Sequence, residues 1–280
     1  LLLAGSCKKD VLRVHKVKKL NSNTTESLYN IRFIDNNKVI IAGGEKYNRS
    51  VVLRSVDGGN TWSANSYPQA AKAMYGFALA PNGNIYLSGD GTLLYSADTG
   101  LTWQSANPGN WLFYNGISFP VPDTGVLISS VLQRQSAITQ IDANFNFIDE
   151  HTFQFGLNNI YMTSPSTGYV IGYGAVMKTT DHRRTWNFQD VKGDNFMAMD
   201  IHGNEIWMCG FNGSIFHTTD GGDHWDMLRN GNDITLPRYY TLDILFKDKY
   251  TGWAVCDDGK MIFTDDGGVH WAPYEQFTNS

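Results

Sequence analysis

The sequence predicts an all-β fold in which one four-stranded antiparallel unit is repeated six times along the chain. Two observations predict it. An eight-residue motif returns at a nearly constant interval, and four short strand-like segments separated by turn residues accompany each copy. A chain of 280 residues can bury a sizeable core without disulfides or structural metal sites. Length permits two domains, but a repeat that continues through the chain predicts a single domain over residues 10–280.

The motif places Ser or Thr two residues before an Asp, and Trp five residues after it. The Asp and Trp of the five clear copies are Asp57 and Trp62, Asp98 and Trp103, Asp181 and Trp186, Asp220 and Trp225, and Asp266 and Trp271. One interval is doubled, which predicts a worn copy with Asp142 in register and Phe147 in place of Trp. The six copies span 209 residues at intervals of about 42, the length of one β-propeller blade.

Each copy is expected to form a tight turn between the third and fourth strands of its blade. The Asp side chain accepts hydrogen bonds from backbone N–H groups of the turn, and a glycine two residues later permits positive φ. The Trp begins the next strand and buries a large apolar area over the turn. We therefore expect the Asp residues to be structural. Arg183 replaces the glycine in the fourth copy, which predicts a distorted turn there.

The spacing around the copies of the motif predicts blades of four short strands. In blade five they are expected over Met197–Ile201, Glu205–Cys209, Ser214–Thr218 and His224–Leu228. A glycine opens the third strand of four blades, namely Gly91, Gly174, Gly213 and Gly259. Stacking the blades radially buries both faces of each, so we predict a six-bladed β-propeller, with seven blades as the alternative. Blade six is expected to have its own fourth strand, Trp271–Phe277, with Val11–Leu20 as an added outer strand.

The motif resembles the Asp-box, or bacterial neuraminidase repeat (BNR), of sialidases, sortilin-like receptors and photosystem II assembly-factor-like propellers. The assembly-factor resemblance implies a scaffold that binds a protein. The sialidase resemblance implies the alternative, a carbohydrate-active glycoside hydrolase. The Arg-Ile-Pro signature of sialidases is missing, since residues 31–34 read Ile-Arg-Phe-Ile, and Asp90 with Asp258 is the best available carboxylate pair. A non-enzymatic binding role is therefore favoured.

The first seven residues, LLLAGSC, read as the end of an apolar signal region that leads to Cys7. They resemble a bacterial lipoprotein signal, which implies a lipid on the thiol of Cys7. The following residues 8–10 resemble the start of surface lipoproteins of Bacteroidetes. Residues 1–9 are thus expected to be a signal remnant and tether. The protein is expected at the outer membrane or surface of a Gram-negative bacterium, with the lipid as its only membrane contact.

Composition excludes several other functions. The net charge of -5 argues against a surface that tracks nucleic-acid phosphates. Phosphate-loop, nucleophile-elbow and His-Glu-x-x-His motifs are missing from the sequence. Three cysteines cannot form a disulfide framework, and Cys209 and Cys256 are expected to be buried free thiols. We expect no cofactor and no metal, and a monomer.

Ligands of propellers usually meet the face opposite such turns, near the axis, where each innermost strand begins. Aromatic and amide residues recur there, and these suit stacking on sugars or on peptide side chains. The predicted ligand contacts are Tyr29, Arg32, Tyr75, Tyr114, Asn159, Phe196, Arg238 and Tyr240. Arg32, Arg134 and Arg238 are candidates for binding an anionic group. Two alternatives stay open: the aromatics only plug the central channel, and the arginines are only solvated surface residues.

Overall fold

The computed structural model describes residues 20–67, 72–106, 112–131, 135–191 and 193–274. Within these ranges the chain forms six four-stranded antiparallel sheets and one short 3-10 turn, Asp257–Gly259. The strands of each sheet follow one another in sequence order, so every blade is a meander. The first strands of successive blades contact each other around the axis. The prediction of an all-β, six-bladed propeller is confirmed.

Each blade contributes four strands, numbered in chain order. They are β1 (Leu28–Phe33), β2 (Val39–Glu45), β3 (Arg49–Ser55), β4 (Ser63–Tyr67); β5 (Met74–Leu79), β6 (Ile85–Gly89), β7 (Thr92–Ser96), β8 (Gln104–Ala106); β9 (Phe113–Val121), β10 (Thr124–Val131), β11 (Gln135–Asp142), β12 (Phe147–Phe153); β13 (Leu157–Met162), β14 (Gly168–Gly172), β15 (Ala175–Thr179), β16 (Asn187–Phe188); β17 (Phe196–His202), β18 (Glu205–Gly210), β19 (Ile215–Thr218), β20 (Asp226–Arg229); β21 (Thr241–Phe246), β22 (Gly252–Cys256), β23 (Met261–Thr264) and β24 (Ala272–Tyr274).

The predicted strands of blade five match β17 to β20 apart from their ends. The fourth strand begins at Asp226 rather than His224, because the box turn occupies the residues up to Trp225. Blade six does have its own fourth strand, β24. The expectations for Cys7, for the outer strand before Leu20, for Arg134 and for the chain after Tyr274 lie outside the described residues.

Apolar side chains from neighbouring blades form one cluster at each of five junctions. Ile40 of blade one packs with Phe77 of blade two, for example, and Trp207 of blade five stacks on Phe246 of blade six at 4.0 Å. Among the described residues, no such cluster joins blade six to blade one. The corresponding side of blade one holds only a small cluster of its own residues, Ile41, Val51 and Leu53 with Trp62.

The boxes build the turns that the sequence predicts. In the second box the Asp98 carboxylate accepts hydrogen bonds from the Thr102 backbone N–H at 2.9 Å and from its hydroxyl at 2.6 Å. The Ser96 hydroxyl donates to Asp98 at 2.8 Å and accepts from the Gly100 N–H at 2.9 Å. The bonds from Thr102 and Ser96 lower the pKa of Asp98 to about 2. The carboxylate is therefore fully engaged inside its own turn.

Two predictions about individual boxes are wrong. Arg183 does not distort its turn: it adopts a left-handed φ of 70°, and the bonds from Thr185 to Asp181 keep distances of 3.0 and 2.7 Å. In the worn third box Phe147 does not replace Trp, since it is exposed. Phe145 has that role instead, because a left-handed φ of 65° directs it onto the ring of Tyr86 at 5.7 Å.

Candidate functional site

The face opposite the boxes is formed by the turns between second and third strands and by the residues before each innermost strand. The same backbone bond ties these two segments together in five blades. The N–H groups that donate to carbonyl oxygens just before the innermost strand, at 2.8 to 3.4 Å, are those of Gly44, Asp90, Tyr173, Phe211 and Asp257. We call this face the mouth. These residues therefore occupy equivalent positions on it.

A β-bulge lies near the start of every innermost strand. The residues at its equivalent position are Tyr29, Tyr75, Asn115, Asn158, Met197 and Leu242. The predictions for Tyr29 and Tyr75 match this register. Those for Tyr114, Phe196 and Tyr240 do not, because the segment before the strand differs in length between blades and the bulge itself leaves no clear sequence signal.

Tyr114 and Phe196 lie in the core and not on the mouth. Both are fully buried in clusters between neighbouring blades. Burial raises the pKa of the Tyr114 hydroxyl to about 12, mainly through loss of solvation. Asn159 lies one residue after the bulge and is half-buried, and its amide donates to the Tyr161 hydroxyl of the same strand at 2.9 Å. Tyr114 and Phe196 hold neighbouring blades together, so a ligand on the mouth surface does not reach them.

Six side chains form a compact group across blades one, two and three, which we call the mouth cluster. Its members are Tyr29, Lys46, Tyr47, Tyr75, Asp90 and Phe113. The Tyr29 and Tyr75 rings meet edge to face at 5.1 Å, and those of Tyr47 and Phe113 at 6.2 Å. The Lys46 ammonium lies 5.1 and 4.9 Å from the centroids of Tyr47 and Phe113. Tyr29 and Tyr47 are exposed, so the group presents aromatic surface to solvent.

Asp90 joins the two ring pairs. It bridges to Phe113 along the backbone, and its Oδ2 accepts a hydrogen bond from the Tyr75 hydroxyl at 3.2 Å. The other oxygen, Oδ1, is buried and has no hydrogen-bond partner among the described residues. Burial raises the pKa of Asp90, while Tyr75, Lys46 and Lys72 oppose the rise. Burial also raises the pKa of Tyr75, with a further contribution from the charge of Asp90.

The two predicted arginines in the described part of the chain lie at different levels of the propeller: Arg32 is near the end of an innermost strand, and Arg238 precedes the start of one. Arg32 is exposed on β1 and donates to the Ile31 carbonyl at 3.0 Å. Burial raises the pKa values of Tyr161 and Asp243, and the charge of Arg32 lowers them against that rise. Arg238 is exposed three residues before β21, at the mouth. Near it Tyr240 stacks on Phe211 at 5.1 Å, which gives the mouth a second, smaller aromatic pair.

The carboxylate pair considered for hydrolysis is also separated. Asp90 belongs to blade two and Asp258 to blade six, where Asp258 pairs with Lys260 at 3.5 Å, and blade one lies between them. In the described part of the chain no group of three or more His, Cys, Asp or Glu residues could hold a metal ion. Cys209 and Cys256 are buried free thiols, and burial raises the pKa of Cys256 to about 11. No helix among the described residues is long and apolar enough to cross a membrane.

Comparison with known proteins agrees with the architecture. A family model described as photosynthesis system II assembly factor YCF48 matches residues 141–238. The photosystem II assembly lipoprotein Ycf48 of Synechococcus sp. (strain CC9902) is 28% identical over 120 residues, which are 40% of this chain and 35% of that protein. The chain spans about a third of the length of the curated relatives it matches.

Two solved structures share the fold. A structure described as YCF48 bound to D1 peptide has a TM-score of 0.66 and 16% identity, over 89% of this chain and 81% of that one. The GH74 enzyme of Niastella koreensis has a TM-score of 0.65 and 18% identity, over 82% of this chain and 43% of that one. At these identities the likeness concerns the fold alone. With its boxes and its sequence relatives, the chain is a six-bladed BNR-type β-propeller similar to the photosystem II assembly factors.

Proposed function

We propose that this propeller is a non-enzymatic binding and assembly scaffold whose mouth captures a segment of a protein partner. The observation that carries the proposal is the mouth cluster, in which blade one presents Tyr29 and Tyr47 to solvent beside the buried carboxylate of Asp90 in blade two. Exposed tyrosines supply large contact area at low cost in conformational entropy, and they are enriched where proteins bind proteins.

The similarity to the assembly factors supports a protein partner, since a solved YCF48 is described as bound to a D1 peptide. Nothing in the sequence indicates a photosynthetic host, so the proposed partner is a protein of the cell envelope and not D1 itself. Rings of this kind also stack on sugars, and a glycan is therefore the competing ligand for the same surface. The glycoside-hydrolase alternative has weaker support, because the Asp90 carboxylate is buried and bound to Tyr75, while that of Asp258 pairs with Lys260.

The location proposed for this scaffold is the envelope of a Gram-negative bacterium, with lipidated Cys7 as its anchor. The basis is the sequence LLLAGSC alone. Labelling cells with a radioactive fatty acid should mark the wild type and leave a Cys7→Ser variant unlabelled. The variant should then appear in the soluble fraction. Equal labelling of both proteins would contradict the anchor without affecting the proposed binding function.

Capture of partners from envelope extract, followed by mass spectrometry, tests the binding function. We expect a Tyr29→Ala, Tyr47→Ala double variant to lose the proteins that the wild type retains. Tyr250→Ala is the matched control: Tyr250 is an exposed tyrosine on the box face, and Lys249 lies over its ring at 4.8 Å as Lys46 does over Tyr47. A glycan array with the same three proteins separates the competing ligand. If the double variant keeps every protein and every glycan of the wild type, the mouth is not the binding surface.

A further inference from the structure

The buried carboxylate of Asp90 is not a requirement of the blade. Tyr173 of blade four and Phe211 of blade five make the same backbone bond at the equivalent position, and both are exposed. Asp90 is only 3% exposed, because the mouth cluster covers it. Burial of a carboxylate that the fold does not require points to a function in binding. The side chains around Asp90 indicate the class of ligand.

The hydrogen bonding of Asp90 is incomplete. Tyr75 satisfies Oδ2 at 3.2 Å, whereas Oδ1 has no partner among the described residues. A buried carboxylate oxygen without a partner is rare in folded proteins and costs free energy until a donor reaches it. Burial also raises the pKa of Asp90, which a cation beside the carboxylate would reverse.

The rings around Asp90 already hold an ammonium group. Lys46 places its Nζ 4.9 Å from the Phe113 centroid and 5.1 Å from the Tyr47 centroid, in the range of cation–π attraction. Lys46 is exposed and lies in the turn between β2 and β3, so the same position is open to a cation from solution. The net charge of -5 favours the approach of a cationic segment.

We propose that the mouth cluster binds a lysine or arginine side chain of the protein partner, which displaces Lys46 from the rings and reaches deeper than the Lys46 ammonium does, to donate to the buried Asp90 carboxylate. The aromatic rings supply the cation–π contact and the carboxylate supplies the charge-assisted hydrogen bond. This inference rests on the proposed function and names the part of the partner that the mouth selects.

Short peptides test the inference without knowledge of the partner. The probe is acetyl-Gly-Arg-Gly-amide, with the citrulline analogue as its neutral isostere, titrated into the full chain while the aromatic side-chain signals are followed by NMR. We expect the arginine peptide to shift the signals of Tyr29, Tyr75 and Phe113, and the citrulline peptide to leave them in place. A lysine peptide should act as the arginine peptide does.

Two variants should move the affinity in opposite directions. Asp90→Asn keeps the shape of the side chain and should weaken arginine-peptide binding about tenfold, the loss expected for one charge-assisted bond. Lys46→Met removes the competing ammonium and should strengthen binding about two- to fivefold. Asp258→Asn, an exposed carboxylate of the same face that pairs with Lys260, is the control and should change little.

Equal shifts with the arginine and citrulline peptides would overturn the inference, as would an affinity that neither Asp90→Asn nor Lys46→Met changes. Either result leaves the proposed function in place if the tyrosine double variant still loses its partner, because the rings would then bind without a cation. Loss of the proposed function is recognised separately, by unchanged capture from envelope extract.

Discussion

The junction between blades one and two differs from the junction between blades six and one, although the strands that form them are equivalent. Phe77 of β5 and Ile31 of β1 occupy the same register position and face the preceding blade, yet Phe77 is 8% exposed and Ile31 49%. On the facing side, Leu245 of β21 is 60% exposed, whereas its equivalent at the junction between blades two and three, Ala78, is 6% exposed.

This difference shows where the propeller obtains its stability. At five junctions the apolar side chains of one blade are covered by the next, and burial of apolar surface is the dominant favourable contribution to folding. Between blades six and one, apolar side chains on both sides stay in contact with solvent. Energetically, the described part of the chain behaves as a linear array of six repeats bent into a ring, with blades one and six as its ends.

Truncation of the two matched inner-strand residues tests this comparison and should give the largest effect. Phe77→Ala removes a buried ring from the cluster of blades one and two and should lower the free energy of unfolding by about 3–5 kcal/mol. Ile31→Ala changes a half-exposed side chain and should cost less than about 1 kcal/mol. Guanidinium denaturation measures both. Similar costs for the two variants would mean that blade one is covered in solution.

The junction between blades three and four offers a test of intermediate size, because its box carries Arg183 where the other clear boxes have glycine. A left-handed φ costs a non-glycine residue about 1–2 kcal/mol, and Nε and Nη1 of Arg183 are buried without a partner among the described residues. After allowance for the added freedom of glycine in the unfolded chain, Arg183→Gly should stabilise the protein by about 1 kcal/mol.

The neighbouring exposed Arg184 provides the control for thermal unfolding, since its φ lies outside the left-handed region. Arg184→Gly should lower the melting temperature slightly, whereas Arg183→Gly should raise it. A lower melting temperature for Arg183→Gly would show that the packing of the guanidinium outweighs the backbone strain.

The smallest effect is expected at the box of blade five, where His224, like His270 in blade six, stands in place of the threonine of three other boxes. Its Nδ1 lies 2.7 Å from Asp220, and this hydrogen bond, with the charge of the carboxylate, raises the pKa of His224. A histidine whose pKa is higher in the folded than in the unfolded state contributes its full stabilisation at pH values below the unfolded-state pKa of about 6.5. That contribution is lost as the pH rises through the folded-state pKa.

Replacement of His224 by Thr should therefore reduce the loss of stability between about pH 6 and pH 8. Urea unfolding at both values measures it, and Thr185→Ser at the equivalent position of blade four serves as the control without a titrating group. The pair is exposed, so the change will be small. A pH dependence that is the same in wild type and His224→Thr would contradict the contribution of this pair.

Much of the fold could be predicted from the sequence, because the signal is local and repeated. The spacing of Asp98 and Trp103 within one turn, and the interval to the next box, follow from residues close along the chain. The exceptions arise where a residue other than glycine adopts a left-handed conformation. Arg183 and Phe145 both do so, and their residue types do not predict it.

The candidate site could be predicted only in part. Tyr29 and Tyr75 could be placed on the mouth from the sequence because they lie at the start of recognisable strands. Tyr47, Phe113 and Asp90 could not be joined into one group, since they come from three blades and meet only in the fold. Tyr47 and Asp90 do carry a signal, because each lies in a turn between second and third strands, and such turns face the mouth.

The repeat, its period and hence the six blades follow from the sequence, because hydrogen bonding inside a tight turn and alternation along a strand depend on residues near each other in the chain. Which aromatic side chains are exposed and which are buried depends on tertiary packing. Tyr114 and Tyr29 look alike in sequence, yet the bulge in the innermost strand turns one into the core and leaves the other at the mouth. Exposure depends on the neighbouring blade, and that neighbour is about 40 residues away in sequence.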